Sequence, residues 1–194
     1  MKCDILCIQE HWLQAYEGKH LNDYFPCHKF AIRCIDDNSI VLPNVKSGAT
    51  SGVAIIWSDE MDKYVEPVDG GSHRTIALKI QTANNPVLLL NSYMPCTGST
   101  QGDYNETLDE VFHMISKHSE CSLIWTGDMN ADATRMPPSS NDLKFKKICM
   151  ENELQISPKM LHEPTFHHFY PKDCTSCIDL VVERRNYPVI TTSM

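Results

Sequence analysis

The chain has 194 residues, a length that fits one domain burying roughly 70% of the surface its unfolded form exposes, which excludes a miniprotein held together by disulfides. Hydrophobic residues make up 42% and charged residues 22%, with 8 Gly and 11 Pro, which excludes disorder, collagen and low complexity. Seventeen basic against twenty-five acidic residues leave a net charge of −8, so a protein that holds nucleic acid by bulk positive charge is excluded and any phosphate contact must be local or metal-assisted.

The first element is the unbroken apolar run Ile5-Leu6-Cys7-Ile8, the pattern of a strand buried on both faces and therefore inside a sheet. A weaker helical pattern runs from Leu13 toward Tyr24, and the segment from Asn38 to Ser51 reads as a surface loop. Strands follow at Val53–Trp57, at Thr75–Ile80 with Ile76, Leu78 and Ile80 on one face, and at Val87–Leu90. Tyr104, Leu108, Val111, Phe112 and Ile115 keep helical spacing after Asp103. Leu123–Trp125 is the fifth strand, and Ala133 to Ser140, with Pro137-Pro138, a second loop. Leu143, Ile148 and Cys149 mark another helix after a cap at Asn141, and Ile178–Val182 is the sixth strand. Strands outnumber helices and the two are interspersed, with no repeat and no linker, so the pattern predicts one layered sheet-and-helix domain over residues 1–194.

Nine cysteines is an odd number, and Cys3, Cys7, Cys34, Cys121 and Cys149 lie in apolar stretches where a thiol acts as a small hydrophobe, so a reducing, intracellular setting is expected. Met1-Lys2-Cys3-Asp4 opens no signal peptide, and no apolar run approaches the roughly 18 residues needed to span a bilayer, so neither secretion nor membrane insertion is expected.

Three strands end in polar residues: Ile8-Gln9-Glu10-His11, Asn91-Ser92-Tyr93-Met94-Pro95 and Trp125-Thr126-Gly127-Asp128-Met129-Asn130. The carboxyl ends of strands in such sheets are where ligands bind, because backbone groups and loops converge there. Carboxylates with an amide and a phenol are hard oxygen ligands suited to Mg²⁺ or Mn²⁺, and a metal held by them polarises a phosphoryl group. The plainer reading takes Glu10 as a solvated strand end and Asp128 as the cap of a turn opened by Gly127.

Taken together, Gln9-Glu10, Tyr93-Met94-Pro95, Gly127-Asp128-Met129-Asn130 and Ser176-Cys177-Ile178-Asp179 resemble, in order, four motifs of the endonuclease/exonuclease/phosphatase superfamily of metal-dependent phosphodiesterases. The wording from Asp4 to Leu13 and from Asn91 to Cys96 is most similar to the endonuclease domain of non-LTR retrotransposons. The resemblance implies an α/β (α+β) fold, a four-layer sandwich of two mixed β-sheets flanked by helices. It implies Glu10 as the metal ligand, with Mg²⁺ or Mn²⁺ as cofactor. Asp128 would orient or deprotonate the attacking water, and Asn130 would hold it and a phosphate oxygen. Tyr93 would contact the scissile phosphate and Thr165, in Pro164-Thr165-Phe166, would bind a phosphate. Asp179 matches the aspartate that orients a catalytic histidine. The implied substrate is DNA, the implied location includes the nucleus, and a reverse-transcriptase region is expected in a full-length element.

Three departures accompany these matches. The family's first Asn strand and its last Ser-Asp-His strand have no counterpart, since no histidine follows His168, so the domain is expected to be incomplete at both termini. The Asn often found after Tyr-x-Pro is Cys96. Little Mg²⁺-dependent nicking is therefore expected of this chain alone. The alternatives are a catalytically silent retroelement remnant and a phosphatase or lipid phosphodiesterase of the same superfamily.

Other constellations are weaker. His162, His167 and His168 with Cys174-x-x-Cys177 make a zinc set only if a hairpin gathers them, and read otherwise as surface histidines and strand cysteines. Lys144, Lys146 and Lys147 read as a solvated helix face rather than a DNA contact, and His73-Arg74 is open between a phosphate contact and ordinary surface polarity.

Overall fold

Period-two alternation decides the architecture, because each central strand has an apolar partner on both faces. A computed structural model describes residues 3–36, 51–96, 101–157, 164–168 and 174–184. In chain order the strands are β1 (Ile5–Gln9), β2 (His28–Arg33), β3 (Val53–Ser58), β4 (Val65–Pro67), β5 (Thr75–Ile80), β6 (Val87–Tyr93), β7 (Ser122–Asp128), β8 (Gln155–Ile156), β9 (Phe166–His168), β10 (Cys174–Ser176) and β11 (Asp179–Arg184). The helices are α1 (Leu21–Tyr24), α2 (Gln101–Lys117) and α3 (Ser140–Glu151).

The strands form a six-stranded sheet in the order β4-β5-β6-β7-β11-β8, a three-stranded sheet β1-β3-β2 and the hairpin β10-β9. The large sheet is mixed, with β6 and β7 parallel and its other pairs antiparallel. The described strands of the small sheet run antiparallel. Val53, Ile55 and Trp57 of β3 pack on Ile76 and Leu78 of β5 and on Leu89 and Tyr93 of β6, which makes the layer between the sheets. Leu88 and Leu90 point the other way and join Leu123, Trp125, Leu180 and Val182 under Tyr104, Leu108 and Val111 of α2 and Phe145 of α3. Gly18 lies beside Ile32 and Cys34, setting the short helical segment against β2. Helix, sheet, sheet and helices thus form the four layers of an α/β sandwich.

The structure corrects several sequence expectations. Only Gly18–Tyr24 of the stretch from Leu13 is helical, as a 3₁₀ turn followed by α1. β1 pairs only with β3 among the described strands, and Leu6 is 39% exposed, so this strand is not buried on both faces as an unbroken apolar run suggests. The cap of α3 is Ser139, not Asn141: the Ser139 hydroxyl accepts from the Asp142 N–H while the Asp142 carboxylate accepts from the Ser139 N–H, a reciprocal pair that leaves Asn141 inside the first turn. Cys3 is exposed, whereas Cys34, Cys121 and Cys149 are buried as expected. The loop from Asn38 to Gly48 and on to Thr50 lies outside the described residues.

One polar residue sits in the apolar layer between the sheets. Asn91 of β6 is wholly buried; its amide donates to the carbonyls of Ile8 in β1 at 2.9 Å and Ala54 in β3 at 3.0 Å. Its own oxygen accepts a short hydrogen bond from the Gln9 side-chain amide. A buried amide with its partners met this way fixes the sideways and lengthwise position of one sheet on the other, which apolar contact alone does not. Replacing Asn91 with Leu keeps the volume but removes the donor to both carbonyls and the acceptor of the Gln9 amide, and is expected to lower the unfolding free energy by about 2–4 kcal/mol in urea titrations. A loss below about 0.5 kcal/mol would show that apolar packing alone sets the sheet alignment.

Candidate active site

The ladder register assembles the site. β6 and β7 run parallel with Tyr93 opposite Asp128, and β11 returns antiparallel with Asp179 opposite Asp128. Directly opposed residues share a face, so Tyr93, Asp128 and Asp179 stand in a row on three adjacent strands, on the face that Tyr93 turns toward the small sheet. Gly127 makes this row possible. Its φ is +140°, and a Cβ there would lie 1.9 Å from the Ser92 carbonyl oxygen, so only glycine lets β7 approach β6 this closely.

Glu10 reaches the row from the other sheet. β1 ends at Gln9, held by Asn91, and Glu10 then takes a left-handed backbone conformation with φ +54°, an arrangement uncommon for a residue with a Cβ and concentrated at functional sites. The chain beyond is braced by His11 N–H to the Gly52 carbonyl at 3.3 Å and Trp12 N–H to Ser51 at 3.2 Å. The His11 ring donates from Nε2 to the Arg33 carbonyl at 3.1 Å and accepts at Nδ1 from Leu13 N–H at 3.0 Å. That pairing sets a neutral imidazole with both nitrogens engaged in the fold.

Asn130 is held at both ends of its peptide unit and side chain. Its N–H donates to Asp128 Oδ1 at 2.9 Å and its Nδ2 to the Met94 carbonyl at 2.8 Å, while Met94 N–H donates to the Asp128 carbonyl at 2.8 Å. With φ +44° it occupies the left-handed region that asparagine tolerates better than most residues. Thr165 receives the N–H groups of Ile178 and Asp179 on its hydroxyl, both at 3.1 Å, which places it at the start of β11 beside the Asp179 carboxyl. The structure thus brings Glu10, Tyr93, Asp128, Asn130, Thr165 and Asp179 to one end of the sandwich.

Asp128 and Asp179, opposed on neighbouring strands, do not ionise at ordinary cost. Burial pushes Asp128 up to about 7, and the charges of Asp179 and Glu10 push the same way against the stabilising Asn130 N–H. Burial also raises Asp179, opposed by the Thr165 hydroxyl. Among the described residues none of the three forms a salt bridge. Carboxylates are the hard oxygen ligands a divalent cation takes, and its charge would oppose the upward shifts of Asp128 and Asp179.

Two positioning residues escaped the sequence reading. Asp132 Oδ2 accepts the Cys177 N–H at 3.0 Å and Oδ1 the Thr134 N–H at 2.7 Å, tying the loop after Asn130 to the approach of β11. Tyr104 of α2 donates its hydroxyl to the Met129 carbonyl at 3.1 Å. Neither has a local signal, since each acts on backbone distant in sequence. Arg74, left open above, places its guanidinium 5.2 Å from the Tyr93 ring centre. The three lysines of α3 do not share one solvated face, because Lys144 folds over the Tyr104 ring at 5.8 Å with its Nζ withdrawn from solvent. Of the zinc set, β9 and β10 bring Cys174 opposite His168 in the ladder. His162 and the side chains of His167, His168 and Cys174 lie outside the described residues, and Cys177 is buried.

Because Asp128 titrates near 7 when folded and near the ordinary carboxylate value when unfolded, the native state binds the extra proton between pH 4 and 7. Stability should therefore fall as pH rises through that window. Asp128→Asn keeps the Asn130 N–H acceptor and removes the charge. Without divalent cations it should be more stable than the wild type at pH 8 by on the order of 1–3 kcal/mol, the gain shrinking toward pH 5. Thermal melts at the two pH values check this, and an equal or lower melting temperature for the variant at pH 8 would contradict the charge cluster.

No curated protein sequence matches the chain. Among solved structures, the endonuclease domain of TRAS1, a telomere-specific non-LTR retrotransposon, is 18% identical with a TM-score of 0.61 over 93% of this chain and 72% of that one. The AP endonuclease LMAP from Leishmania major is 11% identical with a TM-score of 0.65 over 93% and 69%, and the human Nocturnin catalytic domain, with bound sulfate, is 14% identical with a TM-score of 0.55 over 93% and 68%. At these identities the likeness is one of fold, and it agrees with the two-sheet sandwich described above. The family model for the Endonuclease/Exonuclease/phosphatase family matches residues 2–192, and the chain belongs to that family.

Proposed function

We propose that this chain is a divalent-metal-dependent phosphodiesterase domain of the retroelement endonuclease type, acting on DNA by in-line attack of water on a backbone phosphate. The observation that carries the reading is the row Tyr93–Asp128–Asp179 faced by Glu10 from the opposite sheet.

Glu10 would hold Mg²⁺ or Mn²⁺, which supplies Lewis-acid polarisation of the phosphate and charge stabilisation when bound. Asp128 accepts the proton of the attacking water, and Asn130, pinned by Met94 and Asp128, directs its remaining hydrogen-bonding capacity at the water and a phosphate oxygen. Tyr93 supports the scissile phosphate from the neighbouring strand. The Thr165 hydroxyl, oriented by the two N–H groups it receives, would turn its one proton from the Asp179 carboxyl to a phosphate oxygen when substrate binds. Asp179 is the carboxylate positioned to orient a histidine or another general acid on the leaving-group side. The negative overall charge suits local, metal-assisted contact rather than broad electrostatic binding. In this reading the domain works in the nucleus, with a reverse-transcriptase region as partner in a full-length element. No helix among the described residues is long and apolar enough to cross a membrane.

Two measurements test the reading. Calorimetric titration with Mn²⁺ should show one site in the 194-residue chain that Glu10→Gln weakens at least tenfold. Nicking of supercoiled plasmid should be slow for this chain and rise when it is extended by a relative's Ser-Asp-His strand. In that extended protein Asp128→Asn and Glu10→Gln should each reduce nicking by on the order of 10²–10⁴-fold. Cleavage of phospholipid or inositol phosphate head groups in preference to DNA would assign the site to another substrate of the family, and nicking indifferent to both substitutions would overturn the assignment.

A further inference from the structure

At the other end of β7 from Asp128, three side chains with metal-ligating atoms meet on a single turn. His118, Glu120 and Cys121 each present one ligand atom, and the three atoms all lie within 4.8 Å of one another. The turn follows the last residue of α2, Lys117, and is closed by the Cys121 N–H donating to the His118 carbonyl at 2.9 Å. Backbone hydrogen bonding therefore sets the spacing of the ligands before any ion arrives.

The two distances to Glu120 approach those of a small tetrahedral ion. Ligand atoms 2.0–2.3 Å from Zn²⁺ lie about 3.3–3.8 Å apart in a tetrahedral site. Here Glu120 Oε1 stands 3.5 Å from Cys121 Sγ and 3.9 Å from His118 Nδ1. The His118 and Cys121 ligand atoms lie within 4.8 Å of each other, and a turn of the partly exposed imidazole closes that gap. One thiolate, one imidazole and one carboxylate form a set that prefers Zn²⁺ over the all-oxygen cations Mg²⁺ and Ca²⁺. The end of a helix adds the negative pole of its dipole, which favours a cation.

We propose that His118, Glu120 and Cys121 form a zinc site, separate from the acidic site. β7 runs from Ser122 to Asp128, so about 20 Å of strand separates the two at about 3.3 Å per residue. Zn²⁺ binding releases the Cys121 thiol proton to solvent and leaves the fourth position to water. Lys79, whose Nζ lies 2.7 Å from Glu120 Oε1, moves to the other carboxylate oxygen or into solvent. The ion would then pin the end of α2 to the start of β7, the strand that carries Asp128.

Co²⁺ is the probe, because a thiolate ligand gives it an intense near-ultraviolet charge-transfer band. The wild-type chain, fully reduced, should bind one Co²⁺ with this band, and Zn²⁺ should displace it. Cys121→Ser should abolish the band, His118→Ala should raise at least tenfold the Co²⁺ concentration needed to produce it, and Glu10→Gln should leave the band in place. His118 is partly exposed where Cys121 is buried, so its variant reports even if the Cys121 substitution perturbs folding. Absence of the band in the wild type, wild-type affinity in His118→Ala, or loss of the band in Glu10→Gln would each overturn the site.

Discussion

The alignment of two sheets through one buried amide is the constraint on which the candidate site depends. Asn91 holds Ile8 and Ala54 of the small sheet and is held by Gln9. Glu10 follows Gln9 directly, and Tyr93 lies two residues beyond Asn91 on the same face of β6. The hydrogen bonds that lock the sheets therefore also set the distance between a carboxylate on one sheet and the polar row on the other. Apolar packing is nondirectional and tolerates sliding; a buried amide with its carbonyl partners does not.

The same end of the sandwich concentrates features that oppose stability. Carboxyl groups stand opposite each other on neighbouring strands, a pairing that sheets ordinarily avoid. Glu10 and Asn130 take positive φ, and Asp128 is driven toward neutrality by burial and by its neighbours. Each costs folding free energy, and together they describe a surface preorganised for a cation and an anionic substrate. The surrounding scaffold offsets the cost with hydrogen bonds from distant backbone: Asp132 to Cys177, Tyr104 to Met129 and Met94 to Asp128.

Fold and chemistry are coupled through β7. Its central residues Leu123 and Trp125 face the helices, with Trp125 donating to Ser92 Oγ at 2.7 Å and stacking edge-on against Phe112 and Phe145. Gly127 then allows close contact with β6, and Asp128 emerges next to Tyr93. Packing on one face of the strand thus sets where the carboxylate stands on the other.

How much of this was legible depends on the range of the interaction. Six of the seven strands of five or more residues, with α2 and α3, were readable because burial imposes local periodicity, and the polar strand ends from Gln9 to Glu10, Tyr93 and Gly127 to Asn130 stood out against it; β2, His28–Arg33, was missed. Short pieces such as β4, β8 and α1 were not, since two to four residues carry no period; β1 read as doubly buried because an apolar run does not state how many neighbours a strand has. The Ser139 cap was obscured by Asn141, an equally good capping type two residues on, and only the reciprocal bonds with Asp142 distinguish them. The sequence by itself determined which residue types end the strands and that their chemistry suits phosphate and a hard cation. Tertiary structure alone decided that Glu10 crosses from one sheet to the other, that Asn91 and Asp132 hold the pieces in place, and that Asp128 sits among like charges, because register, sheet alignment and burial arise from contacts between segments far apart in the chain.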